Sequence, residues 1–312
     1  LVQPLIQQNN PTLIYGVGSA GKSWLAQYIA VLVDEGIDSL GFSITPANPQ
    51  SESVNVLYLD WETDFFELGE RVRKIRKGLG LEGGSNIWYR QMSHGLAVDI
   101  EAIRKLVINH SIGLVVIDSL GSACMGEPES ADVVLRAFNA LRSLRVSSLC
   151  IDHVNKEGNI FGSVYKTNAA RQVFEVKNEQ QSNDDKIIVG VFHKKSNNSP
   201  KIKEIGLEIT FRDEDTVTVA RRDVRDTELE VNLSHVERVQ NYLRNQGKAK
   251  IGDIAEDLKI SESHIRKEIS NANSRNARNG HPPRFVSLGG GIYANGTDRE
   301  EEGWQNNTTY LE

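Results

Sequence analysis

Cysteine is almost absent, with Cys124 and Cys150 the two in 312 residues. Two thiols cannot build a disulfide framework, and their separation is not that of a metal site. A reducing, cytoplasmic setting is therefore the expectation. No apolar run approaches the ~20 residues that a membrane helix needs, so no membrane partner is expected. No signal-peptide pattern opens the chain. There is no internal repeat. The net charge of −6 is too slight to mark the whole chain as a nucleic-acid binder, although a whole-chain balance can hide a basic module. What is present is length enough for two domains and 39% hydrophobic residues, sufficient for a sizeable core. The sequence lacks Met at its start and reaches a buried-strand pattern by Leu13, so it reads as a segment of a longer protein.

Short apolar runs alternate with amphipathic stretches over residues 12–222, the pattern of a parallel α/β sheet. Strands are expected at 13–16, 55–60, 87–90, 113–118 and 147–152, and helices at 22–34, 64–78, 99–109 and 130–144. After Asp152 the runs at 173–177, 186–193, 204–211 and 216–221 leave no room for helices. A sheet that is parallel at first and finished by antiparallel hairpins fits this order. We expect the α/β domain to span 1–228, a small domain 229–296, and an acidic, disordered tail 297–312.

Gly16-Val17-Gly18-Ser19-Ala20-Gly21-Lys22-Ser23 follows a strand and opens a helix, satisfying G-x-x-x-x-G-K-[ST]. Glycines let backbone N–H groups turn inward around phosphate oxygens, and the helix N-terminus adds partial positive charge. Lys22 would reach the β- and γ-phosphates of ATP, and the Ser23 hydroxyl would ligate Mg²⁺. The same residues spell the dinucleotide fingerprint G-x-G-x-x-G. That reading wants an acid about 20 residues on, at the end of the second strand. Asp34 and Glu35 come too early and Asp60 too late, so the phosphate loop is the better reading.

Leu114-Val115-Val116-Ile117-Asp118 is an apolar strand ending in a carboxylate, where a second Mg²⁺-holding group is expected. Asp60-Trp61-Glu62 ends another strand and offers two carboxylates to orient the attacking water. With these residues in place the chain resembles RecA-like ATPases. That resemblance selects Glu62 as the catalytic carboxylate, with Asp60 second, and makes His153 a sensor of the γ-phosphate. The run Gly162-Ser163-Val164-Tyr165 to Arg171, followed by His193-Lys194-Lys195, is similar to hexameric replicative helicases of the DnaB and plasmid RepA types. It implies a basic residue reaching into a neighbouring subunit's ATP site. Lys195 is the positional match, with Lys194 and Arg171 behind it. DnaB-type proteins carry Arg where Lys195 stands, and Lys lacks the bidentate fork.

Residues 232–296 hold ten Lys/Arg against six Asp/Glu, while 298–312 hold one against five, so the two cancel. Three expected helices and a hairpin around Gly289-Gly290-Gly291 resemble a winged helix-turn-helix. Its recognition helix would carry Ser263, His264, Arg266, Lys267, Asn271 and Asn273, with Arg275, Arg278 and Arg284 near phosphates. The combined expectation is a RecA-like core plus a winged helix, working as a homo-hexameric, DNA-dependent ATPase and replicative-type helicase of a mobile element, phage or plasmid. Single-stranded DNA would pass through a central channel gripped by Lys156 and Lys166, with Phe161 and Tyr165 as stacking groups. The alternatives are an ATP-switched DNA-binding initiator and a filament-forming recombination ATPase.

Overall fold

The computed structural model describes residues 1–46, 54–127, 129–155, 158, 160, 162, 164–179 and 185–296. The expected tail 297–312, together with Lys156, Phe161 and Ser163, lies outside the described residues. The chain divides into two compact units, Leu1–Val224 and Arg225–Glu312.

The first unit runs β1 (Val2–Gln3), β2 (Pro11–Gly16), α1 (Lys22–Glu35), β3 (Ser43–Ile44), β4 (Asn55–Asp60), α2 (Phe65–Gly78), β5 (Trp88–Gln91), α3 (Leu96–Asn109) and β6 (Ile112–Asp118). It continues through α4 (Leu120–Cys124), α5 (Ala131–Leu144), β7 (Ser147–His153), α6 (Tyr165–Ala169), β8 (Gln172–Glu179), β9 (Lys186–Ser196), β10 (Ile205–Phe211) and β11 (Val217–Arg221). Nine strands form one sheet in the order β11-β10-β9-β8-β2-β7-β6-β4-β5. From β8 to β5 every pairing is parallel, and β9, β10 and β11 add on antiparallel. The chain thus folds as a mixed α/β unit on a large, mostly parallel sheet.

Period-two burial explains why these strands read as unbroken apolar runs. Val56 and Tyr58 of β4, with Leu114 and Val116 of β6, enter the core beneath α1 and α2. Leu57, Leu59, Val115 and Ile117 enter the opposite core beneath α3 and α5. Successive side chains point to opposite faces, so a strand covered on both sides must be apolar throughout. The helix starts are marked chemically. Asp64 accepts from the Glu67 amide at the head of α2, which keeps that helix from fraying. Helix α3 starts at Leu96 rather than the expected 99, because Leu96 is fully buried against the sheet.

The second unit contains α7 (His235–Gln246), β12 (Lys248–Lys250), α8 (Ile251–Leu258), α9 (Glu262–Arg278), β13 (Phe285–Gly289) and β14 (Ile292–Asn295). Ser234 and Glu237 form the capping box that opens α7, and Ser261 caps α9. Val239, Leu243, Ile254, Ile265, Ile269 and Phe285 fill its core. The three strands form a sheet in the order β12-β14-β13. Gly289, Gly290 and Gly291 all have positive φ, the conformation that turns the β13–β14 hairpin. Asn273 is not free to read a base. Its amide donates to the Phe285 carbonyl (2.8 Å) and accepts from the Phe285 N–H (2.9 Å), latching α9 to β13. Arg284 donates to Gln240 Oε1 at 2.8 Å, which ties the β13 end to α7.

Candidate nucleotide site

Strand β2 ends at Gly16, where a side chain would collide with the Val176 carbonyl oxygen at 2.2 Å. Gly21, at φ +83°, makes the left-handed step into α1. Helix α1 has no side-chain cap and no acid in its first turn. Its N-terminal amides and positive end are therefore left facing the loop, where an anion is stabilised. Lys22 is buried and donates to the carbonyls of Gly16 (3.0 Å) and Val17 (2.6 Å), which holds the ammonium at the loop. Burial pulls its pKa down, while the charges of Asp118, Glu62 and Asp152 push it back up.

The sheet brings the carboxylates to the same edge. Gly16 pairs with His153, Asp118 with Ile151, and Asp60 with Asp118, so β2, β7, β6 and β4 end side by side. Asp118 is buried and accepts from the Tyr58 hydroxyl through Oδ2 at 2.7 Å. Burial raises its pKa to about 6, against hydrogen bonds from Tyr58 and Ser23 that lower it; the charges of Glu62 and Asp60 raise it further. Its Oδ1 is buried and accepts no hydrogen bond among the described residues. A buried anionic oxygen beside a serine hydroxyl is the donor set that a hard divalent cation takes. The residues therefore fit Mg²⁺, with Ser23 and Asp118 to hold it. Bound there, Mg²⁺ would neutralise charge on the β- and γ-phosphates.

Asp60 and Glu62 separate in role. Asp60 Oδ1 accepts from the amides of Glu62 (2.8 Å) and Thr63 (2.9 Å), and Oδ2 accepts from the Thr63 hydroxyl. Both of its oxygens are spent shaping the turn. Glu62, half-exposed at the mouth, lies 3.2 Å through Oε1 from His153 Nε2. That hydrogen bond, more than the burial that opposes it, holds the Glu62 carboxyl below its usual range. Glu62 is thus an anion at neutral pH, able to accept a hydrogen bond from water and aim it. His153, read from the sequence separately from Glu62, is its direct partner.

Two expected cations are employed elsewhere. Lys166 does not project toward a channel. It is buried, 2.8 Å from the buried Asp152 carboxylate at the end of β7. A charge taken out of water must be paired, and Asp152 supplies the pairing. Lys166→Met should cost about 3–5 kcal/mol of stability by stranding Asp152, with Asp152→Asn in the same chain recovering part of it. Denaturant unfolding of the two variants measures this. Lys195 is not a free cation either. Its ammonium donates to the carbonyls of Thr167 (2.8 Å), Asn168 (3.0 Å) and Ala170 (2.8 Å), tying down the C-terminal end of α6. Beside it, His193 is buried and stacked on Phe174, and Lys194 is paired with Glu175 at 2.7 Å. Arg171 remains exposed, without a side-chain partner among the described residues.

Tyr58 and the Asp152–Lys166 pair are not evident in the sequence. The only hint of Tyr58 is a phenol in a strand whose other apolar residues are aliphatic, and its buried hydroxyl must find a partner. Cys124 and Cys150 are free thiols, and no described helix is long and apolar enough to cross a membrane.

The family model AAA_25, an AAA domain, matches residues 1–159, just over half of the 312. Among solved structures, a KaiC-like protein from the hyperthermophilic archaeon Pyrococcus horikoshii is similar, with 14% identity and a TM-score of 0.48 over 69% of this chain and 93% of that one. No curated protein matches the sequence. The matched span contains the phosphate loop, Glu62, Asp118 and His153, and the chain belongs to the AAA_25 family of AAA domains.

Proposed function

We propose that the chain hydrolyses ATP as a DNA-dependent, homo-hexameric motor of the replicative-helicase kind. The observation that carries this reading is the Glu62–His153 hydrogen bond at the mouth of the phosphate loop. One partner is placed to orient the attacking water, and the other ends β7, from which the chain leads into the segment before α6. A change at the γ-phosphate that disturbs Glu62 is felt at once by β7. Lys22 and Ser23 hold the phosphates and Mg²⁺, Asp118 holds Mg²⁺, and Glu62 orients water. Arg171, exposed and always charged, is better suited than Lys195 to act on a neighbouring subunit's nucleotide.

Residues 229–296 are read as a winged helix that contacts DNA. Support comes from the three helices with their glycine-turned hairpin, and from α9. Lys267, Asn271, Arg275 and Arg278 are exposed at helical spacing along it, while the nearby Glu262 is tied to Arg266 at 3.2 Å. Such a face lays cations and an amide along a DNA groove. The same face favours the second reading, an ATP-switched initiator that binds a duplex site. ATPase rates measured with and without single-stranded DNA, against Lys22→Ala as the inactive control, separate the two. A motor gives several-fold stimulation by any single strand. Rates unchanged by single strands, together with tight binding of one duplex sequence, would reject the motor in favour of the initiator.

A further inference from the structure

We infer that Tyr58 is a positioning residue for the metal-holding carboxylate Asp118. The inference rests on the reading that Asp118 holds Mg²⁺.

Tyr58 is almost wholly buried, at 1% exposure, so water does not compete for its hydroxyl. A phenol has one hydrogen to give. Tyr58 gives it to Asp118 Oδ2, at 2.7 Å. With Oδ2 fixed, the carboxylate cannot turn about its terminal torsion, and Oδ1 is the oxygen left for a cation. Such outer contacts orient a ligand before the metal arrives, and their loss typically weakens metal binding about 10–100-fold.

The test is Tyr58→Phe, which removes one oxygen and keeps the ring in the core. Mn²⁺ binding to the whole chain with ADP is followed by electron paramagnetic resonance. ADP affinity is measured separately in EDTA. We expect Mn²⁺ to bind about 10–100-fold more weakly, with ADP affinity in EDTA and the thermal unfolding profile close to wild type. Mn²⁺ affinity within twofold of wild type would overturn the inference, as would an equal loss of metal-free ADP binding, which would mean general damage to the loop. Tyr58→Leu provides a second reading should the phenylalanine variant fail to fold. It also removes the hydroxyl and is expected to weaken Mn²⁺ to a similar extent; no change would overturn the inference. A wild-type protein that binds no Mn²⁺–ADP at all would instead reject the ATPase reading beneath it.

Discussion

Glutamine in place of Glu62 should lower the steady-state ATPase rate by about 10²–10⁴-fold while leaving nucleotide affinity within a few-fold of wild type. The substitution preserves shape and removes charge. In the proposed site, binding would rest on the loop amides, Lys22 and Ser23, none of which leans on Glu62 for position. The Lys22 ammonium is anchored by the Gly16 and Val17 carbonyls, and the turn that carries Glu62 is shaped by Asp60. What disappears is an anion held below the ordinary carboxylate range by His153. Because that pKa is lowered, Glu62 stays charged well below neutral pH, and the acid limb of the wild-type rate profile should not come from Glu62. The neutral amide introduced by Glu62→Gln can still meet the His153 ring, so the mouth need not collapse. Single-turnover hydrolysis and the binding of a fluorescent nucleotide separate the two effects. A variant that keeps more than a tenth of the wild-type rate would remove Glu62 from the chemistry and return attention to Asp60.

The sequence makes the core of this site legible because its chemistry is local. The phosphate loop needs one strand end, eight consecutive residues and one helix start, all contiguous. The carboxylates are legible for a related reason, since an apolar run buried on both faces has to stop somewhere, and it stops at Asp60 and Asp118. Strands β1 and β3, two residues each, carry no period to detect, and helices α4 and α6, with five each, hardly more. The cations fail for a different reason. Lys166, Lys195 and Arg284 look like free charges in a list of residues. Their partners are Asp152, the carbonyls of Thr167, Asn168 and Ala170, and Gln240, separated from them by stretches of chain whose closure the sequence does not announce. Whether a lysine grips a ligand or clamps its own fold depends on what lies across a loop, and local pattern is blind to that. Asn273 is the same error with an amide.

The second large effect is a gain rather than a loss: Asp118→Asn should stabilise the nucleotide-free protein while depriving it of Mg²⁺. In the folded chain the Asp118 carboxyl is raised from an ordinary 3.8 to about 6, burial being the largest cause. A raised acid adds most to stability below its unfolded pKa, and that contribution is lost as pH rises through the folded one. At pH 7.5 the protein therefore carries a destabilising buried anion beside Glu62 and Asp60. A rise of roughly two pK units corresponds to about 3 kcal/mol, and the asparagine amide, which needs a partner of its own, will leave part of this unrealised. Its carbonyl can still accept from Tyr58. In EDTA at pH 7.5 the variant should melt a few degrees above wild type, and the difference should shrink as pH is lowered from 6 toward 4. Magnesium and a non-hydrolysable ATP analogue should reverse the order, because ligand that binds only the folded wild type adds stability in proportion to the logarithm of its concentration. If the variant melts below wild type in EDTA at pH 7.5, the Asp118 charge is not a cost to the resting fold. If both proteins gain equally from magnesium and nucleotide, Asp118 does not hold the metal. A crossing of the two melting curves is what a site strained to receive a cation requires, since the charge that destabilises the resting protein is the one that binds.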